Sequence, residues 1–346
     1  MQYLLTSICS LCMVYSGWFI DRLLGKEKRG KWLTSGVLLL TLALVATLPV
    51  YGTSYAPILM TTIILYIILA VSWTMFSGPT GYMSLATAAF FGVGIYTAAF
   101  MAGDFPPPVF ILVGGAASFI LALGVGALTL RLRGIYFAIF TFGLVELIRH
   151  VLAFIELHVT GTRGRFVFGV DNETIFYYML GVFVLLMITA YFLNRSKFGL
   201  ALRSIGEYEA AAAHTGVNVT MVKIVTFAVS AFFMGAVGAI WATKLHYVDP
   251  GIAFNPLFTF IPVLMAIFGG MGLLYGPIIG AAFFTLLKEF LTTTLAKYGL
   301  GELYMLFFGV ILVAAILFMP NGVVGVIQRL TQKWRKGGPV EEHADT

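Results

Sequence analysis

The sequence predicts an all-α polytopic membrane protein with about eleven transmembrane helices. Three observations lead there. Hydrophobic residues make up 60% of the 346 and charged residues only 10%, against about 25% charged in soluble domains. Apolar runs long enough to cross a bilayer core of about 30 Å recur along nearly the whole chain. These runs do not alternate apolar and polar residues, as the strands of a membrane barrel do.

The first run, 2–20, has no basic residue ahead of it and a basic cluster behind it. That order is the reverse of a secretory signal, so the run reads as a retained helix with its N-terminus outside. Cys9 and Cys12 within it have no other metal ligands nearby and read as small apolar side chains. The remaining spans are 34–51, 57–77, 84–101, 109–130, 134–157, 175–193, 222–242, 258–274, 276–294 and 303–319. "GDFPPP" at 103–108 and "YVDPGIAFNP" at 247–256 read as outside turns, because proline does not continue a helix. The glycine-rich stretch 268–276 blurs one boundary, and the polar tail 321–346 lies in the cytoplasm.

Charge distribution tests this topology. With the N-terminus outside, 14 of the 21 basic residues fall in inside segments: Arg22, Lys26, Lys28, Arg29, Lys31, Arg131, Arg133, Arg195, Lys197, Arg203, Arg329, Lys333, Arg335 and Lys336. Outside segments hold Arg163, Arg165, Lys244 and Lys297, while Arg149, Lys223 and Lys288 fall within spans. The asymmetry follows the positive-inside rule. It also assigns the net charge of +6 to membrane topology and not to nucleic-acid binding.

Enzymatic signatures are missing from the sequence. There is no P-loop, no HExxH and no GxSxG. The five histidines, His150, His158, His214, His246 and His343, show no ligand spacing, so no catalytic or metal site is expected.

Two stretches interrupt the helical pattern. In "FSGPTGYMSLATAAFFGVGIY" (76–96), Gly78, Pro79 and Gly81 break a long apolar run, and Ser84 and Thr87 follow with helical i, i+3 spacing. In "FGGMGLLYGPIIGA" (268–281), Gly272, Gly276 and Gly280 lie four apart. Each stretch admits two readings. Small residues at this spacing allow close helix packing. A discontinuous helix can instead line a pathway, since irregular backbone inside a bilayer must face protein or water. Packing is the first reading for Gly272, Gly276 and Gly280. For Gly78, Gly81, Ser84 and Thr87 the two stand level. Glu146 and Arg149, one helical turn apart, form a candidate intramembrane pair beside the pathway.

The longest internal cytoplasmic segment, 194–221, contains "GEYEAAAAHTGVN". "EYEAAAAH" is a strong short helix former. Glu207 and Glu209 fall in its expected first turn, where the helix dipole favours acids. Gly216 sits where a left-handed C-terminal stop belongs. The smooth alanine face, with Ala211 and Ala212, suits docking into a groove of a soluble partner. An amphipathic connector on the membrane surface is the plainer alternative.

This loop resembles the coupling segment of ATP-binding-cassette importer permeases. "GYMSLATAAFFGVGIYTAA", "RLRGIYFAIFTFGLVELIR", "KFGLALRSIGEYEAAAAHTGVNVTMVKIVTFAVSAFFMGAVGAI" and "IFGGMGLLYGPIIGA" extend the likeness over roughly 57–320. They are similar to the branched-chain amino acid permease family, in particular its M-type subunit. The resemblance implies a core of about ten spans over 34–320, an extra N-terminal helix and basic loop at 1–33, and a cytoplasmic tail at 321–346. It implies a coupling role for Arg203, Glu207, Glu209, Ala211, Ala212 and Gly216. The implied partners are a sister H-type permease, two ATPase subunits that hold ATP and magnesium, and an extracytoplasmic solute-binding protein, in a prokaryotic inner membrane. No cofactor is expected on this chain. Ala213, His214, Ile261 and Pro262 stand where family members often carry acids or their neighbours. Branched-chain or other hydrophobic amino acids are the first expected solutes, and urea or short amides the second. A stand-alone secondary transporter or channel is the rival from another class, with Glu146 and Arg149 as its coupling group.

Overall fold

The computed structural model describes residues 45–47, 49, 55–132, 134–167, 169–271, 275–298, 303–318 and 322. The expected span 2–20, most of 34–51, Cys9, Cys12, Gly272 and the tail beyond 322 lie outside the described residues. The helices are α1 (Tyr55–Thr80), α2 (Thr87–Met101), α3 (Pro107–Thr129), α4 (Ile135–Ile155), α5 (Asn172–Arg195), α6 (Lys197–Glu207), α7 (Glu209–His214), α8 (Val219–Leu245), α9 (Pro250–Ala253), α10 (Leu257–Gly269), α11 (Tyr275–Lys297) and α12 (Tyr304–Phe318). Helix α4 runs on into a π-turn, Glu156–Thr160. Two short strands, β1 (Arg165–Phe166) and β2 (Tyr247–Val248), pair antiparallel and tie two loops together at one end of the bundle.

Seven of the described helices are long and apolar enough to cross a bilayer. The nine expected spans from 57–77 to 303–319 each fall on a helix, although α10 stops at Gly269, five residues early. Helix α1 is apolar all round and almost wholly buried, as a helix without a polar face must be in a bundle. Helix α8 is the second central element and packs along α2, α3 and α1. Helix α4, by contrast, leaves most of its surface open.

Small residues let α2, α3 and α8 approach. A Cβ on Gly94 would meet the Gly235 carbonyl, and one on Gly235 would meet the Ser118 side chain and the Gly114 carbonyl. The Ser118 hydroxyl reaches across to donate to the Phe90 carbonyl at 2.9 Å. A second close crossing joins α10 and α11. A Cβ on Gly276 would meet the Gly270 carbonyl, and one on Gly280 the Met265 carbonyl. Backbone contact of this kind replaces the hydrophobic drive that helices lose in lipid.

Gly235→Leu should therefore cost more than the roughly 1–3 kcal/mol of ordinary overpacking, because the Ser118 Cβ and the Gly114 carbonyl it would meet cannot rotate away. The expected outcome is a lower thermal midpoint for the detergent-solubilised protein. Gly181→Leu, where nothing lies within 4 Å of the added Cβ, should leave the midpoint in place. Equal midpoints would mean that the crossing can repack.

Candidate functional site

Helix α2 has 15 residues, so it spans about 22 Å at 1.5 Å per residue. That is short of a bilayer core. Residues 81–86, which are not helical, supply the rest of the crossing. The break thus starts later than the glycine and proline pattern indicates, since α1 continues through Gly78 and Pro79 to Thr80. Gly81 then takes φ +71°, and its N–H donates to the Ser77 carbonyl at 3.0 Å.

The free backbone groups of the break find side-chain partners on three helices. The Trp73 indole of α1 donates to the Ser84 carbonyl at 2.7 Å. The Leu85 N–H donates to the Thr141 hydroxyl of α4 at 2.9 Å. The Thr259 hydroxyl of α10 accepts from the Ala88 N–H at 3.0 Å and donates to the Leu85 carbonyl at 3.4 Å. Ser84 and Thr87 are buried, at 5% and 1% exposure. Ser84 lies in the non-helical stretch and Thr87 opens α2, so the two do not share a helix face as their spacing implies.

Beside the break sits a buried cation. The Lys223 side chain on the first turns of α8 is 3% exposed. Its ammonium donates to Glu209 Oε1 at 3.0 Å, to the Tyr82 hydroxyl at 3.1 Å and to the Leu130 carbonyl at 3.3 Å. The Tyr82 hydroxyl in turn donates to Glu209 Oε2 at 2.7 Å. The Tyr82 ring also lies 4.4 Å from the Lys223 ammonium and packs edge-on against Phe137. Four segments thus meet at one charge: the break, the end of α3, α7 and the start of α8. Removing one partner of such a pair strands the other charge, which costs about 3–5 kcal/mol.

The segment after α5 folds as two short helices and not one. Ser196 caps α6 by accepting from the Gly199 N–H at 3.3 Å. Tyr208 then leaves the helical region at φ −157°, and α7 begins at Glu209. Glu207 accordingly ends α6 and does not open α7, while Glu209 does lie in the first turn of α7. Helix α7 stops in a Schellman turn. The Val217 N–H donates to the Ala212 carbonyl, the Gly216 N–H donates to the Ala213 carbonyl, and Gly216 takes φ +85°. Arg203, Glu207, Ala211 and Gly216 are exposed. Ala212 turns inward, into a small apolar cluster with Leu202, Ile205 and Val222.

The opposite end of the bundle, some 40 Å away along the 27 residues of α8, carries a different constellation. Glu156 in the π-turn is 4% exposed and accepts from the Gly164 N–H at 3.1 Å. The Arg165 guanidinium stacks 3.9 Å over the Phe100 ring. The Tyr247 hydroxyl donates to the Arg163 carbonyl at 2.9 Å. Glu146 and Arg149 pair at 2.8 Å on α4, each side chain about one-third exposed. Glu289 of α11 accepts from the Tyr55 hydroxyl. Lys288 reaches toward the Tyr66 ring beside a largely apolar cavity of about 300 Å³ between α1, α10, α11 and α12. Among the described residues no cluster of three metal-ligating side chains occurs.

Sequence reasoning singled out Glu209 but not its partners. Tyr82 reads as one aromatic among many, and Lys223 as a cation at the end of a span. The only available signal was that Lys223 is the one basic residue near the inside end of an otherwise uncharged run.

The family model for the branched-chain amino acid transport system permease component matches residues 55–316. The chain is 26% identical over 305 residues to the high-affinity branched-chain amino acid transport system permease protein LivM of Salmonella typhimurium, covering 76% of this chain and 68% of that one. Identity to LivM of Escherichia coli is 24% over 304 residues, with the same two shares. Identity to the permease protein BraD of Pseudomonas aeruginosa is 24% over 288 residues, covering 75% of this chain and 91% of the relative. No solved structure matches the chain. The chain belongs to the branched-chain amino acid permease family and is a multi-pass membrane protein.

The break predicts a local cost. Thr259→Val keeps the side-chain shape but leaves the Ala88 N–H without its acceptor, a loss of about 1–3 kcal/mol. Amide hydrogen exchange should rise across 84–90 while α5 and α8 stay protected. Unchanged exchange at Ala88 would mean that the hydroxyl does not hold the break.

Proposed function

We propose that this member of the branched-chain amino acid permease family is a membrane-spanning subunit of an ATP-binding-cassette importer in a bacterial inner membrane. Its solutes are branched-chain or other hydrophobic amino acids, delivered by an extracytoplasmic solute-binding protein. Two partner ATPases hold the ATP and magnesium, and this chain binds no cofactor and catalyses nothing itself. The observation that carries the reading is the 197–218 segment, read together with the family. It presents Arg203, Glu207, Ala211 and the Gly216 stop on an exposed surface while Glu209 and Ala212 hold it to the membrane body. Its alanine face is small and low in side-chain entropy, with the charges of Arg203 and Glu207 beside it, which suits docking to an ATPase.

The charge asymmetry supports a cytoplasmic position for this segment and an outside position for the β1–β2 end, with the N-terminus outside and the C-terminus inside. The solute-binding protein docks on that outer end. The open face of α4 supports a sister permease. In lipid, Glu146 and Arg149 would each cost about 2.5–3.5 kcal/mol on insertion scales. A protein partner covering that face removes the cost. The pathway runs beside the break, with Gly78, Gly81, Ser84 and Thr87 along it.

Gly216→Val tests the docking segment. A β-branched residue at positive φ is strained, so the stop should reorganise while the transmembrane body stays intact. The assembled complex should keep its abundance in the membrane and lose most ATP-driven leucine uptake. Normal uptake at normal abundance would contradict the reading.

A further inference from the structure

The Lys223 cluster lies in the one place where the docking segment touches the break. Helix α7 is held to the membrane body in two physically different ways. The apolar cluster of Leu202, Ile205, Ala212 and Val222 is non-directional and tolerates sliding. The contacts of Glu209 with Tyr82 and Lys223, at 2.7 and 3.0 Å, are directional and charge-assisted, so they resist displacement along their own axes. Tyr82 lies two residues before Ser84, in the same non-helical stretch. Just beside it α6 abuts the end of α1, where a Cβ on Gly206 would meet the Pro79 carbonyl. A displacement of α7 therefore reaches residue 82 directly through the Tyr82–Glu209 hydrogen bond, and by a second route of two hydrogen bonds through the Lys223 ammonium of α8.

We propose that Glu209, Lys223 and Tyr82 form a latch that transmits movement of the cytoplasmic docking segment to the 81–86 break. Tyr82 and Lys223 are its positioning residues. Lys223 is the hub, because it also holds the end of α3 through the Leu130 carbonyl. A buried ionic cluster is weak as a stabiliser compared with an apolar one of the same volume. Its use here is to fix which part of the membrane body α7 pulls. This inference rests on the importer reading above.

The test uses the complete importer, with sister permease, ATPases and binding protein, in proteoliposomes. Radiolabelled leucine uptake and ATP hydrolysis are measured on the same vesicles. Tyr82→Phe removes only the hydroxyl and keeps the ring against Phe137. Tyr82→Phe and Lys223→Met should leave hydrolysis within about twofold of wild type and lower leucine moved per ATP about tenfold, within the range by which single contacts tune coupling between sites. Leu202→Ala loosens the apolar cluster without touching the latch. It should lower thermal stability and leave leucine per ATP unchanged. Wild-type vesicles that take up leucine on ATP, with an unchanged ratio in Tyr82→Phe, would overturn the latch alone. An equal fall in the ratio for Leu202→Ala would also overturn it, since any loosening of α7 would then suffice. Wild-type vesicles that move no leucine on ATP would overturn the importer reading, and the latch with it.

Discussion

A backbone that leaves the helix inside a bilayer must find its hydrogen-bond partners in protein or in water it brings along. Residues 81–86 meet that constraint with the Trp73 indole and the hydroxyls of Thr141 and Thr259, the last also holding the Ala88 N–H at the start of α2. These three side chains come from α1, α4 and α10. The break is therefore where the positions of separate helices are registered against one another. A shift of any one helix relative to the others changes the hydrogen bonding of the same six residues. The remaining architecture supports this arrangement. Helix α1 is buried so that Trp73 is fixed, and the glycine crossings of α2 with α8 hold the helix that follows the break.

Each end of the bundle is built for a different kind of contact. At one end two short helices, a Schellman turn and an ion pair present a compact surface. At the other, a π-turn, two paired strands and a stacked arginine tie together the ends of α2, α4 and α8. Between them run helices that meet by backbone contact at glycine at some crossings and by interlocked rings, such as Phe76, Phe90, Phe137 and Phe227, at others.

Much of this was legible in the sequence because the bilayer imposes it. Apolar length gave the nine long helices α1–α5, α8 and α10–α12 to within about five residues but not α6, nor α9 inside the stretch read as a turn, and glycine with proline marked the neighbourhood of the break. Its true start at Gly81 was not legible, since α1 absorbs Gly78 and Pro79 at its last turn. The division of 197–214 into two helices turns on Tyr208 adopting an extended conformation, which no propensity requires. The ionic cluster was the least legible feature. Tyr82 and Lys223 are 141 residues apart, and no periodicity joins them. The strand pair is two residues long on each side, too short to leave a pattern.

In the assembled importer, movement of the docking segment should reach the break. Accessibility of the break in the assembled importer tests it most directly. Ser84→Cys and Thr87→Cys, each in a chain freed of Cys9 and Cys12, are exposed to a small membrane-impermeant thiol reagent. The measurement is the labelling rate without nucleotide and again with the ATPases trapped on ATP, with Phe90→Cys as the buried reference. Labelling at 84 or 87 should change severalfold between the two states while Phe90→Cys stays protected. Equal protection at 84 and 87 in both states would contradict that transmission and leave the break a packing feature only.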